Sequence, residues 1–190
     1  MLPRWLLTLG LASFGSFAHA SNPVVVMETS KGIIKIELFA DKAPITVKNF
    51  LAYVDDKHYD GTIFHRVIDN FMIQGGGYTP GMVERKTRPP IKNESDNGLS
   101  NKRGTIAMAR TTDPDSATAQ FFINVVDNPN LDRRGSNAGY CVFGRVIDGM
   151  EVVDKIRSVP TRDVQRGGKI LWEGVPVDDI VIRTIRRQSP

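Results

Sequence analysis

The sequence predicts a mainly β fold, an antiparallel barrel or sandwich with two helices. Three observations carry that expectation. Short runs rich in β-branched and aromatic residues recur along the chain, only two stretches repeat their apolar residues at helical spacing, and the segments between them are dense in Gly, Pro, Asn and Asp. No internal repeat, low-complexity stretch or interdomain linker breaks the pattern.

Residues 1–20, "MLPRWLLTLGLASFGSFAHA", read as a cleaved signal peptide, with Arg4 in a short n-region, an apolar run from Trp5 to about Phe17, and Ala18-His19-Ala20 as the small-x-small site. The run is too short and too rich in Gly and Ser for a membrane span, which takes about 20 predominantly apolar residues. Residues 21–190 are expected to form one domain, large enough to bury a core without disulfides or metal.

Val24 to Thr29 and Ile33 to Phe39 alternate like strands, joined through Ser30-Lys31-Gly32 as a hairpin. Pro44 suits a first helical position, and Val47, Phe50, Leu51 and Val54 follow at helical intervals. Further strands are expected at Thr62 to Ile68, Phe71 to Gln74, Gly104 to Ala109, Gln120 to Val125 and Cys141 to Ile147. A second helix is signalled where Asp148 and Glu151 stand like a capping box ahead of Met150, Val153 and Ile156. Residues 175–186 complete the count as a last strand, and 75–103, 111–118, 127–139 and 159–174 are left as loops. Loops this long in a small domain point to a working surface where they meet the β wall.

Composition excludes several chemistries. Loss of the leader leaves 24 Lys and Arg against 21 Asp and Glu, a net charge of +3 that is too mild and scattered for nucleic acid. Cys141 is the only cysteine, a small buried hydrophobe rather than a reactive thiol. His58 and His65 are too few for a zinc site, and no G-x-S-x-G elbow accompanies them. His65 reads as a satisfied histidine on a strand. Gly75-Gly76-Gly77 lacks the Lys-Ser/Thr of a phosphate loop and reads as a backbone bend. Asn93-Glu94-Ser95 matches an N-glycosylation sequon, relevant only in a eukaryotic secretory route.

One stretch stands out. "FHRVIDNFMIQGGG" sets Arg66 and Gln74 among phenylalanines, methionine and β-branched residues. Strict alternation places Phe64, Arg66 and Ile68 on one face, with His65 and Val67 on the other. An arginine so placed needs a carboxylate partner or a position at the rim, because an unpaired buried charge costs several kcal/mol. Gln74 follows Met72 by two residues and shares its face.

These segments resemble a known family. "FHRVIDNFMIQGG", "GTIAMAR", "SATAQFFINV" and "YCVFGRVIDGMEVVDKI", in this order, are similar to the motifs of cyclophilin-type peptidyl-prolyl cis-trans isomerases. "ETSKGIIKIELFADKAPITVKNF" resembles that family as well, and the leader with "RGTIAMARTTDPDSATAQFF" most resembles its periplasmic bacterial branch, the rotamase A type.

The resemblance implies a closed eight-stranded antiparallel β-barrel capped by two α-helices. It implies cis-trans isomerisation of X-Pro bonds with no cofactor and no metal. It makes Arg66 the catalytic residue, gives Phe71, Met72 and Phe122 an apolar pocket for the proline ring, and makes Leu131 an apolar wall residue. Gln74 and Gln120 become polar pocket residues, Ala109, Arg110 and Thr111 a strand edge for the substrate backbone, and Tyr140 replaces the histidine of many relatives. Asn130 stands where the family usually has an aromatic, which implies weak cyclosporin binding. The expected partners are proline-containing unfolded or loop segments of envelope proteins, in the periplasm, engaged by a monomer that does not insert into membrane. A cyclophilin-like chaperone or scaffold with little turnover is the alternative.

Overall fold

The computed structural model describes residues 22–166 and 169–188. The expected leader, residues 1–20, lies outside the described residues.

Eight strands close on themselves. β1 (Val24–Thr29), β2 (Gly32–Leu38), β3 (Thr62–Ile68), β4 (Met72–Gly75), β7 (Thr105–Met108), β8 (Phe121–Asn124), β9 (Val142–Asp148) and β12 (Val181–Arg187) pair antiparallel in the order β1-β12-β3-β4-β8-β7-β9-β2. This is the closed barrel the family resemblance implied, and closure leaves none of the eight with an open edge. Inward-facing Met27, Ile34, Ile36, Phe64, Ile106, Ile123 and Phe143 fill the interior, all essentially inaccessible.

Two helices complete the core. α1 (Pro44–Asp55) buries Thr46, Val47, Phe50, Leu51, Tyr53 and Val54, and the Phe50 ring lies within 6 Å of those of Tyr59, Phe121 and Phe143. α2 (Met150–Arg157) buries Val152, Val153 and Ile156. Neither is long and apolar enough to cross a membrane.

Several local expectations are corrected. Asp148 does not cap α2: it ends β9 and pairs with Lys35 at 3.3 Å, while Gly149 occupies the N-cap position without a side-chain bond. The run expected as one strand over 175–186 is divided between β11 (Lys169–Pro176) and β12. Much of the loop expected over 159–174 is a hairpin of β10 (Thr161–Arg166) with β11, outside the barrel. The loop 75–103 contains a small hairpin, β5 (Tyr78–Thr79) with β6 (Val83–Glu84).

The correction with the largest consequence lies in β3. Phe64 pairs with Gly75 but Arg66 pairs with Gln74, so two steps along β3 match one along β4. Such a bulge flips every later side chain to the opposite face. Phe64 and Val67 both point into the core, and Arg66 and Ile68 lie outside it. The face shared by Phe64 and Arg66 under strict alternation does not exist.

Helix α1 is capped from far along the chain. Ala43 at its N-cap offers no side-chain acceptor. Glu94 takes the role instead, accepting the N–H groups of Ile45 (3.1 Å) and Thr46 (2.8 Å) and the Thr46 hydroxyl (2.7 Å). The neighbouring sequon asparagine is also engaged, its Asn93 amide donating to the carbonyls of Ala138 and Gly139. Cys141 is buried and its thiol is pushed up to about 11 by that burial, in keeping with an inert packing residue.

A carboxylate that satisfies orphan amides and faces the positive end of a helix contributes roughly 1–2 kcal/mol. Replacing Glu94 by Ala is expected to lower stability by about that amount in a denaturant melt. Glu94→Gln should lose less, and a melt unchanged in both variants would refute the cap.

Candidate active site

Backbone pairing sets four residues side by side on the outer wall: Arg66 opposite Gln74, Gln74 opposite Phe122, and Phe122 opposite Ala107. On the same wall Met72, Ala107, Phe122 and Val142 form a second buried cluster, separate from the barrel core, with Phe71, Ala109, Leu131 and Tyr140 packed at its margin. Between them is a pocket of about 170 Å³. Its lining is Arg66, Phe71, Met72, Gln74, Ala109, Arg110, Phe122, Leu131 and Tyr140, nine of the eleven residues named from sequence.

The pocket is walled rigidly. The Tyr140 ring meets Phe122 edge-on at 5.7 Å, and the Arg110 guanidinium lies 4.4 Å above Tyr140. Behind Phe71, its carbonyl accepts from Val125 N–H (3.2 Å) and the Asn128 amide (2.8 Å). Asn128 also donates to Asn124, and Asn124 to Asn101 and Thr105. A satisfied network of buried amides specifies one arrangement, because any slip strands a polar group away from water.

Arg66 stands at the rim. Its Cζ lies 5.9 Å from the Phe71 ring centroid, and its Nη2 donates to Glu173 Oε2 at 2.7 Å. Both ordinary outcomes for such an arginine, a carboxylate partner and a rim position, therefore occur together. The bond takes one end of the fork, and the side chain still lines the pocket.

Thr111 and Gln120 are not in this apolar pocket. They line an adjoining hollow of about 300 Å³ that shares Gln74, Ala109 and Arg110 with it and adds Ser116. Gln74 donates to Gln120 Oε1 at 2.9 Å, which links the two spaces. Along the expected edge, Ala109 N–H is used by the Gln120 carbonyl and Thr111 N–H by Ser116 Oγ. Among the described residues, the Arg110 N–H is the one of the three without an internal acceptor. The bend after β4 is made at Gly76, whose φ of 87° favours glycine, and an added Cβ there would stand 2.9 Å from the rings of Tyr59 and Phe121. Asn130 is exposed in a short 3-10 turn, Pro129–Leu131.

A third hollow, about 390 Å³, opens on the other side of Arg66 and Gln74, lined by His65, Tyr78, Gln120, Leu171, Trp172 and Glu173. Sequence reasoning missed the hairpin residues among these. A signal was present: Gly167-Gly168 followed by Ile170-Leu171-Trp172 is a turn pair leading into a β-type run. His65 is buried against Tyr78, ring centroids 4.7 Å apart, and among the described residues its Nδ1 lacks a well-aligned partner, so the histidine expected to be satisfied is at most partly so.

Comparison with known proteins gives a family. The model of "Cyclophilin type peptidyl-prolyl cis-trans isomerase/CLD" matches residues 24–187. Peptidyl-prolyl cis-trans isomerase from Acinetobacter baylyi is 52% identical, over 97% of this chain and 98% of that one. Peptidyl-prolyl cis-trans isomerase B of Escherichia coli is 54% identical over 85% of this chain and 98% of its own length. A crystal structure of a Cryptosporidium parvum cyclophilin-type isomerase, solved in the presence of the dipeptide Ala-Pro, superposes with a TM-score of 0.71 at 29% identity, covering 88% of this chain and 99% of that one.

Burial, with the Arg66 charge adding to it, holds the His65 imidazole down at about 4 against an ordinary 6.5. The unfolded chain takes up a proton in that window and the folded one excludes it, so stability should fall as pH falls from about 6.5 towards 4. The drop is expected to reach about 2–3 kcal/mol. Melts of His65→Gln across this range should show a flatter profile than wild type, and parallel profiles would contradict it.

Proposed function

Because the chain belongs to the cyclophilin-type peptidyl-prolyl cis-trans isomerases, we propose that it speeds rotation about X-Pro bonds of exported polypeptides by stabilising the twisted amide without a covalent step. The barrier arises from amide resonance, about 18–20 kcal/mol, and uncatalysed exchange takes tens to hundreds of seconds. At the top of that barrier the proline nitrogen has lost conjugation and offers a lone pair. A donor fixed beside it stabilises that geometry more than either planar form.

The observation that carries this reading is the register row that sets the Arg66 fork at the rim of an apolar pocket. Phe71, Met72, Phe122, Leu131 and Tyr140 seat the proline ring. Arg66 reaches the nitrogen or the adjoining carbonyl with its donors in a planar fork, which a lysine cannot offer. Gln74, braced by Gln120, and the free Arg110 N–H align the peptide backbone, while Ala109 and Thr111 shape the edge beside it.

Clients are unfolded or loop segments of envelope proteins, met in the periplasm as a monomer after removal of the leader. The leader composition supports export, and the mild charge of the remainder suits unfolded chains of mixed sequence.

The Glu173 contact favours one other reading, a peptide-binding module with little turnover whose arginine is occupied. A proline-limited peptide assay separates the two. Arg66→Ala is expected to lose about 100-fold in kcat/KM, in line with removal of one donor from a preorganised site. Equal rates in wild type and variant would remove Arg66 from the mechanism, and an inactive wild type would favour the binder.

Cyclosporin is expected to bind weakly, with Kd above about 1 μM, because exposed Asn130 provides no aromatic wall. Asn130→Trp should tighten it roughly tenfold by titration. Tight binding to wild type would sink this expectation.

A further inference from the structure

The β10–β11 hairpin lies outside the barrel yet packs along β3. Gly174 permits the approach. Its φ is +65°, and a Cβ at that position would stand 2.7 Å from the Val67 carbonyl oxygen, so another residue there would force the two strands apart. The Gly174 N–H donates to Asp163 Oδ1 at 2.9 Å, tying β11 to β10 beside the next residue, Glu173. The result of this backbone arrangement is a carboxylate oxygen 2.7 Å from Arg66 Nη2.

The contact contributes little to folding. The side chains are 31% and 57% exposed for Arg66 and Glu173, and ion pairs so exposed are screened and weak. Its effect falls on the arginine itself. A long side chain at a rim samples many rotamers. Here the guanidinium is confined between the Glu173 carboxylate and the Phe71 ring, with the rest of its fork left for the pocket.

We infer that Glu173 is a positioning residue: delivered by the hairpin, it holds the Arg66 guanidinium in the orientation that addresses the prolyl amide. This rests on the reading of Arg66 as the catalytic donor. The gain comes from preorganisation, since a donor already in place need not be ordered during the reaction.

Steady-state kinetics with an uncharged proline peptide test it, on wild type, Glu173→Ala, Glu173→Gln, Arg66→Ala and the Glu173/Arg66 double alanine variant. Glu173→Ala is expected to lower kcat about five- to tenfold with KM within about twofold and melting temperature unchanged. Glu173→Gln keeps an acceptor oxygen and should restore most of the rate. The double variant should be no slower than Arg66→Ala, because the two act through one group. In ¹⁵N spectra the Arg66 Nε–Hε signal should broaden in Glu173→Ala and persist in Glu173→Gln. A Glu173→Ala rate equal to or above wild type, or a Glu173→Gln rate as low as Glu173→Ala, overturns the inference while Arg66→Ala remains about 100-fold slower than wild type. An Arg66→Ala variant as fast as wild type overturns the reading beneath it.

Discussion

The pairing of β3 with β4 slips by one residue between Phe64 and Arg66, and most of what is distinctive in this molecule depends on that slip. The interior of this eight-stranded barrel is filled by apolar side chains. Without the extra residue, Arg66 would follow Phe64 into that interior, where a guanidinium cannot be solvated. With it, Phe64 and Val67 both fill the core and Arg66 emerges on the outer wall opposite Gln74. The bulge thus reconciles a packed core with a permanent charge one turn of the pleat away.

Once Arg66 is outside, the ladder does the rest. Gln74, Phe122 and Ala107 are placed beside it by hydrogen-bonded partners, and Met72 and Val142 close the apolar floor. The wall carries two hydrophobic clusters back to back, one inside the barrel and one outside it. That division explains why the pocket can be apolar without being part of the core, and it backs the pocket floor with a packed interior. The strands are pinned from within, and the segment carrying Phe71 is pinned from behind by the buried amides of Asn101, Asn124 and Asn128.

For an isomerase this rigidity has chemical value. In the proposed mechanism the reaction makes no bond to the protein, so the protein contributes only geometry and field. A groove with an apolar seat, a fork of donors and an amide brace, each held by separate elements of one barrel, is suited to recognising a transient shape. Charge enters at the margin, where Glu173 and solvent temper Arg66, rather than in the floor.

Much of this was legible in the chain itself. Alternation revealed the barrel strands, helical spacing revealed α1 and α2, and nine of the pocket residues could be named because their motifs resemble those of a known family. Such signals are local, as are the hydrogen bonds that produce them. What remained hidden was non-local. The bulge depends on which residue of β4 meets Arg66. The cap of α1 comes from Glu94, far along the chain. The carboxylate beside Arg66 comes from residue 173, in a stretch read as loop. No spacing rule reports a partner so distant in sequence, because only closure of the barrel brings the two together in space. The sequence determined which elements form and which side chains the pocket draws on, and tertiary structure decided which way Arg66 faces and what holds it there.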